Sequence, residues 1–257
     1  MAKKKVIANH KGGVGKTATV ITVAAILGSG GNKVLVVDLD GQSDSSDQLL
    51  QTESRSKPGV FDLLVDEDGE LNTAQCIYKC SELFENCYLI AADSRLDKVG
   101  DHINSRIGKE FIVKNLIAPL ESKFDYIIYD TPPNLGTLTI NALVASDDLI
   151  IPIDLSQKSI KNARKLLKVV EILNKSKLPT PRFDGLLICR YEKSNSNETQ
   201  LIVSELEEEF KSKVINIRIP ASIKVREADR QGCSIFHKSK FSPTAKAYRK
   251  LVENYII

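Results

Sequence analysis

Seven residues constrain this chain more than any others. Lys11-Gly12-Gly13-Val14-Gly15-Lys16-Thr17 stands between a short apolar run, Val6-Ile7-Ala8, and a helical stretch from Thr17 to Gly28. Gly12, Gly13 and Gly15 let backbone N–H groups turn inward and approach an anion without Cβ interference. A helix opening near Lys16 adds the partial positive charge of its N-terminus. The pattern G-x-x-x-x-G-K-[ST] is not met at its first glycine, because Asn9-His10 stand there. What remains is a denser loop with an additional lysine. In it Lys16 reaches the β- and γ-phosphates of a nucleotide, and the Thr17 hydroxyl is placed for Mg²⁺. The expected cofactors are therefore ATP and Mg²⁺, with Lys11 through Thr17 and Ala18 on the phosphate side.

Two acidic strand ends complete the expected site. Val34-Leu35-Val36-Val37 runs into Asp38-Leu39-Asp40, and Tyr126-Ile127-Ile128-Tyr129 runs into Asp130-Thr131-Pro132-Pro133. In an open parallel sheet, ligands bind beyond the carboxyl ends of the strands. Asp130, after four apolar residues, fits the carboxylate that holds Mg²⁺ through water. Asp38 and Asp40 alternate in direction across a strand end, so one can support the Mg²⁺ shell while the other orients the attacking water.

Further apolar runs follow the same pattern: Tyr88-Leu89-Ile90-Ala91, Asp148 to Ile153, Gly185 to Ile188 and Val214 to Ile217. They are continuous rather than alternating, as in strands buried on both faces. Helical stretches lie between them: Ile112 to Phe124, Ser159 to Leu173, Asn197 to Lys211 and Pro243 to Tyr255. Strands alternating with helices predict an α/β fold: a P-loop NTPase with a mostly parallel twisted sheet of seven to eight strands, covered by helices on both faces. No Pro/Gly/Ser-rich linker or repeat divides the chain, so residues 1–257 read as one domain.

Composition excludes other classes. No run of about 18 apolar residues exists to cross a bilayer, and the basic N-terminus leads into a strand rather than an apolar signal segment. A cytoplasmic protein is expected. Five scattered cysteines lack the paired spacing of a structural metal site and suit buried thiols in a reducing compartment. Charge is more informative in its distribution than in its total. Residues 1–155 carry 15 Lys+Arg against 22 Asp+Glu, whereas residues 156–257 carry 21 against 11. The C-terminal half thus presents either a basic surface to a polyanion or a set of solvated helix faces.

At these residues the chain resembles the deviant Walker A family of ParA, Soj and MinD ATPases, whose loop carries an early lysine like Lys11. Val34 to Gln42 resembles that family's second motif, and Asp125 to Gly136 followed by Asn141-Ala142-Leu143-Val144 its third. Ile219-Pro220, Glu227-Ala228, Gly232 and Phe241 to Tyr248 recur at its spacing. The resemblance implies a homodimer around two ATP molecules, with Lys11 reaching into the partner's site to neutralise charge on the transferred phosphoryl group. It implies that Asp40 positions the hydrolytic water, that Thr17 ligates Mg²⁺ and that Pro220 lines the adenine pocket. Departures are Ala18 in place of a second threonine, His10 where glutamine is common and Gly41 where proline is common. Ala18 removes one hydroxyl contact to a phosphate, a modest loss.

Within such a family three roles compete: a partition ATPase, a MinD-like membrane ATPase and a metabolic or iron–sulfur enzyme. The C-terminal face Ala247, Leu251 and Tyr255, with Tyr248 and Val252 alongside, suits docking on the chain's own core, and Glu253 opposes anionic lipid. No membrane partner is expected. No cysteine falls between Asp130 and Leu149, against a cluster at the nucleotide switch segments. The reading favoured is a short-form DNA-partitioning ATPase, nucleoid-associated, acting with a ParB-like DNA-bound adaptor; positioning of a non-DNA protein cargo stays open beside it. Arg190, Lys193, Arg218, Lys224, Arg226 and Arg230 are candidates to contact non-specific double-stranded DNA through its phosphates. Arg190 has a second reading as a nucleotide-site or salt-bridge residue.

Overall fold

Alternating β-branched runs and helices do build one twisted sheet. A computed structural model of the chain describes residues 1–51, 56–192 and 197–257. The strands are β1 (Lys3–Ile7), β2 (Val34–Asp38), β3 (Ile77–Lys79), β4 (Cys87–Ile90), β5 (Tyr126–Asp130), β6 (Asp148–Ile153), β7 (Arg182–Tyr191) and β8 (Val214–Pro220). Their order across the sheet is β3-β4-β2-β5-β1-β6-β7-β8, and β3 alone pairs antiparallel, with β4.

The helices are α1 (Lys16–Ser29), α2 (Asp44–Leu50), α3 (Val60–Val65), α4 (Gly100–Ile103), α5 (Ile112–Ile117) and α6 (Thr137–Ala145), then α7 (Gln157–Lys175), α8 (Asn197–Phe210), α9 (Ile223–Arg230), α10 (Ile235–Lys238) and α11 (Pro243–Leu251). Successive strand residues point to opposite faces, so each strand feeds two cores. Val6, Leu35, Val37, Ile127 and Tyr129 pack with α3, α5, α6, α7 and α8. Ile7, Val34, Val36 and Ile128 pack with α1, α10 and α11. Parallel crossovers are right-handed. Because the chain moves one way from β1 to β2 and the other way from β5 to β6, the helices divide between the faces.

Two expected helices differ in extent. The stretch from Ile112 forms α5 to Ile117 and then a 3₁₀ turn, Ala118–Leu120. Pro119 has no N–H to continue the ladder. The final helix ends at Leu251 and continues as a π turn, Val252–Ile256. Its apolar face lies on the second core: Tyr248, Leu251 and Val252 are buried, and the Tyr248 hydroxyl is 3.2 Å from that of Thr19 on α1. No helix among the described residues is long and apolar enough to cross a membrane. The short β3 went unread in the sequence, three residues being too few to show a period.

Candidate nucleotide site

The sheet order places β5 between β2 and β1, which aligns three chain ends. Asp38 sits opposite Asp130, and Asp130 opposite Ile7, immediately before the glycine loop. The loop needs its glycines at two left-handed positions, Gly13 at φ 72° and Gly15 at φ 97°, the latter capping α1. A side chain there would clash with the following backbone. Lys16 is only 6 % exposed. Burial lowers the pKa of its ammonium, although the charges of Asp130 and Asp40 pull the other way.

The two carboxylates are among the most deeply buried charged groups in the described residues, Asp38 at 0 % and Asp130 at 1 % exposure. Burial raises the pKa of both, and the charge of Asp130 pushes Asp38 up further. Adjacent serines at the start of α2 hold them. Ser46 donates from its hydroxyl to Asp38 at 2.6 Å and from its backbone N–H at 3.0 Å, while Ser45 donates to Asp130 at 2.5 Å. The nearby Thr17 hydroxyl, like that of Ser45, holds the pKa of Asp130 down against burial. Even so, Asp130 Oδ1 is buried with no hydrogen-bond partner. A buried carboxylate oxygen facing a threonine hydroxyl, beside a phosphate loop, is the donor set of a hard divalent cation. The residues fit Mg²⁺.

Asp40 is half-buried, its pKa raised by burial, and it accepts the Gln42 N–H at 3.1 Å. Gly41, which follows, has a physical reason to lack a side chain: the Asp97 carboxylate occupies the space a Cβ would take. Lys11 accepts a hydrogen bond from the Lys16 ammonium at its carbonyl, 3.4 Å away, and sends its own side chain elsewhere. Its ammonium is paired with Asp154 at 2.5 Å and with the Ser156 hydroxyl at 3.0 Å, both just beyond β6. Burial opposes ionisation of Asp154, yet the bonds from Lys11 and Ser156 hold its carboxyl below the ordinary value.

Pro220 closes a cavity of about 240 Å³ that Gly13, Gly15 and Ala18 line from the loop side and Ile219, Val225 and Tyr248 from the other. The glycine loop and the Pro220 segment are thus brought together. Arg190 belongs here too. At the end of β7 it adopts φ 54° and donates to the Gly13 carbonyl at 3.1 Å, so its contact is with the phosphate loop. Of the remaining basic candidates, Arg226 borders the same cavity and the other described ones lie elsewhere. The Arg218 guanidinium rests over the Tyr191 ring at 5.0 Å and pairs with Glu207 at 3.5 Å, and Lys224 bonds the Ser239 hydroxyl at 3.1 Å. Arg226 and Arg230 are exposed on α9, with Arg226 also at the rim of the Pro220 cavity. Lys193 lies outside the described residues.

Sequence reasoning missed Ser45, Ser46, Asp154 and Ser156. The run Ser43-Asp44-Ser45-Ser46 directly after Asp38 to Gln42 was a usable signal, since hydroxyls at a helix start readily donate to nearby acids. Asp154 had none: only the pairing of β1 with β6 sets it against Lys11. The five cysteines are buried thiols, and no group of three or more His, Cys, Asp or Glu side chains that could hold a metal ion stands out among the described residues.

A phosphate loop after the central strand, with acids ending two neighbouring strands, defines a P-loop NTPase of the doubly wound α/β class. Residues 2–180 match the model of a family described as an AAA domain. The chain belongs to that family and, within it, to the ParA/MinD-type ATPases. It is 31 % identical over 253 residues to the sporulation initiation inhibitor protein Soj of Bacillus subtilis, covering 98 % of each chain. It is 28 % identical to the chromosome partitioning protein ParA of Myxococcus xanthus, over 88 % of this chain and 78 % of that one. Among solved structures it resembles apo McdA of Cyanothece with a TM-score of 0.87 at 26 % identity, covering 98 % of this chain and 99 % of the other. A variant of that McdA has been solved in complex with ATP, and the likeness there is 0.86 at 25 % identity.

Proposed function

We propose that this chain is a ParA-like positioning ATPase that segregates DNA: Mg-ATP drives dimerisation and non-specific DNA binding, and hydrolysis releases it. The observation that supports it best is the buried Asp38–Asp130 pair, with Asp130 Oδ1 unpartnered beside Thr17 and the glycine loop. Lys16 and the loop N–H groups would hold the phosphates, and the Pro220 cavity the adenine. Thr17 would ligate Mg²⁺, with Asp130 and Asp38 behind it; the ion would neutralise charge between the β- and γ-phosphates. Asp40, half-buried and free of a lysine hydrogen bond, would take the hydrogen bond that orients the attacking water.

Lys11 has two stations in this reading. In the single chain it is held by Asp154 and Ser156. In the dimer it would leave them and stabilise the charge developing in the partner's site. Release from Asp154 is part of what nucleotide-driven dimerisation must accomplish. A ParB-like adaptor bound to DNA would stimulate turnover.

Asp40→Ala is expected to keep ATP binding, lower hydrolysis by about 10²- to 10⁴-fold and hold the dimer on DNA. Phosphate release and retention on non-specific duplex, measured together, test this; hydrolysis at the wild-type rate would remove Asp40 from its role. Lys224→Glu combined with Arg230→Glu is expected to weaken ATP-dependent DNA binding and reduce its salt slope by about one for each phosphate contact removed. ATP-dependent retention on anionic vesicles in place of duplex would favour a membrane role instead.

A further inference from the structure

The exposed lysines of α7 form one row. Lys158, Lys161, Lys165 and Lys168 are spaced by three, four and three residues, which puts them on a single stripe of the helix. At 1.5 Å per residue the row is about 15 Å long. Ile160, Ala163 and Leu166 on the opposite side are buried against the sheet, so the stripe faces outward. The acids of α8 do not cancel it. Glu209 pairs with Arg164 at 2.5 Å and Glu205 bonds Gln157 at 3.0 Å, both on the flank of α7. None of the four lysines stands within ion-pair distance of an acid among the described residues; Glu171, one turn beyond Lys168, feels its charge but is paired with Lys175 at 2.5 Å.

We propose that this row is a second contact strip for the phosphate backbone of duplex DNA, an inference that rests on the DNA-binding function proposed above. The chemistry selects the partner. Protein interfaces place aromatic residues, methionine or arginine at a desolvated centre and are depleted of lysine; this row has no aromatic side chain and no apolar one before Ile172. A bilayer would need an apolar face, and α7 has buried its own in the core. A polyphosphate needs only a line of cations, and mobile ammonium groups contact it without regard to sequence.

The strip also stands apart from the basic residues of α9. Helix α7 packs on one face of the sheet, whereas Val225 of α9 packs against the core on the other. One protomer therefore carries two strips facing different directions.

The test is the salt dependence of ATP-dependent binding to a non-specific duplex. Lys161→Glu with Lys165→Glu is expected to lower affinity at least tenfold near 0.1 M salt and to reduce the slope of log K against log salt by about two. Lys161→Arg with Lys165→Arg should bind as wild type. Basal ATP hydrolysis and thermal unfolding should be unchanged in both, and the effect should add to that of Lys224→Glu with Arg230→Glu, as for separate sites. Wild-type slope and affinity in the Glu variant, with the wild-type chain still binding duplex, would overturn the strip alone. No duplex binding by the wild-type chain would overturn the DNA-binding function and the strip with it. Unchanged duplex binding with lost stimulation by a DNA-bound adaptor, or lost retention on phosphatidylglycerol vesicles, would assign the row to another partner and also overturn it.

Discussion

Lys16→Met is expected to weaken ATP binding by at least about 100-fold without lowering the melting temperature of the nucleotide-free protein. The two halves of that result have separate causes. Methionine keeps the length of the side chain but removes the ammonium that would sit between phosphate oxygens in a water-poor site. Losing one member of a buried charge pair costs about 3 kcal/mol, and each 1.4 kcal/mol is a factor of ten. In the nucleotide-free fold the sign reverses. Burial lowers the pKa of Lys16 despite Asp130 and Asp40, so its charged form is disfavoured relative to the unfolded chain. That penalty is present at every pH below the folded-state pKa and is relieved only as the amine deprotonates above it. Removing the charge removes the penalty. Thermal unfolding with and without Mg-ATP reads both effects at once: wild type should melt higher with saturating nucleotide, because a ligand that binds only the folded state stabilises it, and the variant should not. A variant that keeps the nucleotide-dependent shift would displace Lys16 from the phosphate site.

Gly28→Ala should destabilise the fold by about 2–3 kcal/mol, lowering the melting temperature by roughly 4–12 °C for a chain of this size. The direction is the informative part. Gly28 lies in the last turn of α1, where exchanging glycine for alanine ordinarily gains about 1 kcal/mol of helix propensity. Here a Cβ would overlap the Glu85 carbonyl and stand 2.7 Å from the Cys87 sulfur. The strand-leading loop is fixed against the helix by the bond from the Asn86 side chain to the Gly28 carbonyl at 3.1 Å and by the bond from the Cys87 sulfur to the Ala24 carbonyl at 3.3 Å. Neither neighbour is the free end of a flexible side chain, so the backbone itself must shift. Chemical denaturation of the two proteins settles the sign, and a more stable variant would mean that α1 can slide away from β4 at little cost.

Much of the site was legible because its chemistry is local in sequence. The loop from Lys11 to Thr17 carries its own geometry in its glycines, and an acid after four apolar residues announces a strand end. Asp38, Asp40 and Asp130 could be chosen on that ground, and the sheet register brings Asp38 opposite Asp130. Other features were illegible for equally physical reasons. Arg190 carried two readings from sequence, a DNA contact and a nucleotide-site residue; its backbone at φ 54° sets it against the Gly13 carbonyl, a conformation that composition does not signal. The α7 lysines were visible as a charge excess, but which of the α8 acids stand beside them depends on where α8 packs.

Periodicity and turn chemistry by themselves determined the class of this protein: a parallel sheet, a phosphate loop and acids at the ends of the strands beside it. These follow from short-range rules, since side-chain alternation, left-handed glycines and helix starts are settled within a few residues. Only the tertiary structure decided the partners of each charge. Lys11 rests on Asp154, 143 residues away, because β1 and β6 are neighbours in the sheet. Asp130 is bonded by Ser45 and left with one bare oxygen because α2 crosses the end of β5. Electrostatic and hydrogen-bond pairing acts through space at a few ångströms, and the order of strands in a sheet, which sets those distances, is a property of the whole chain.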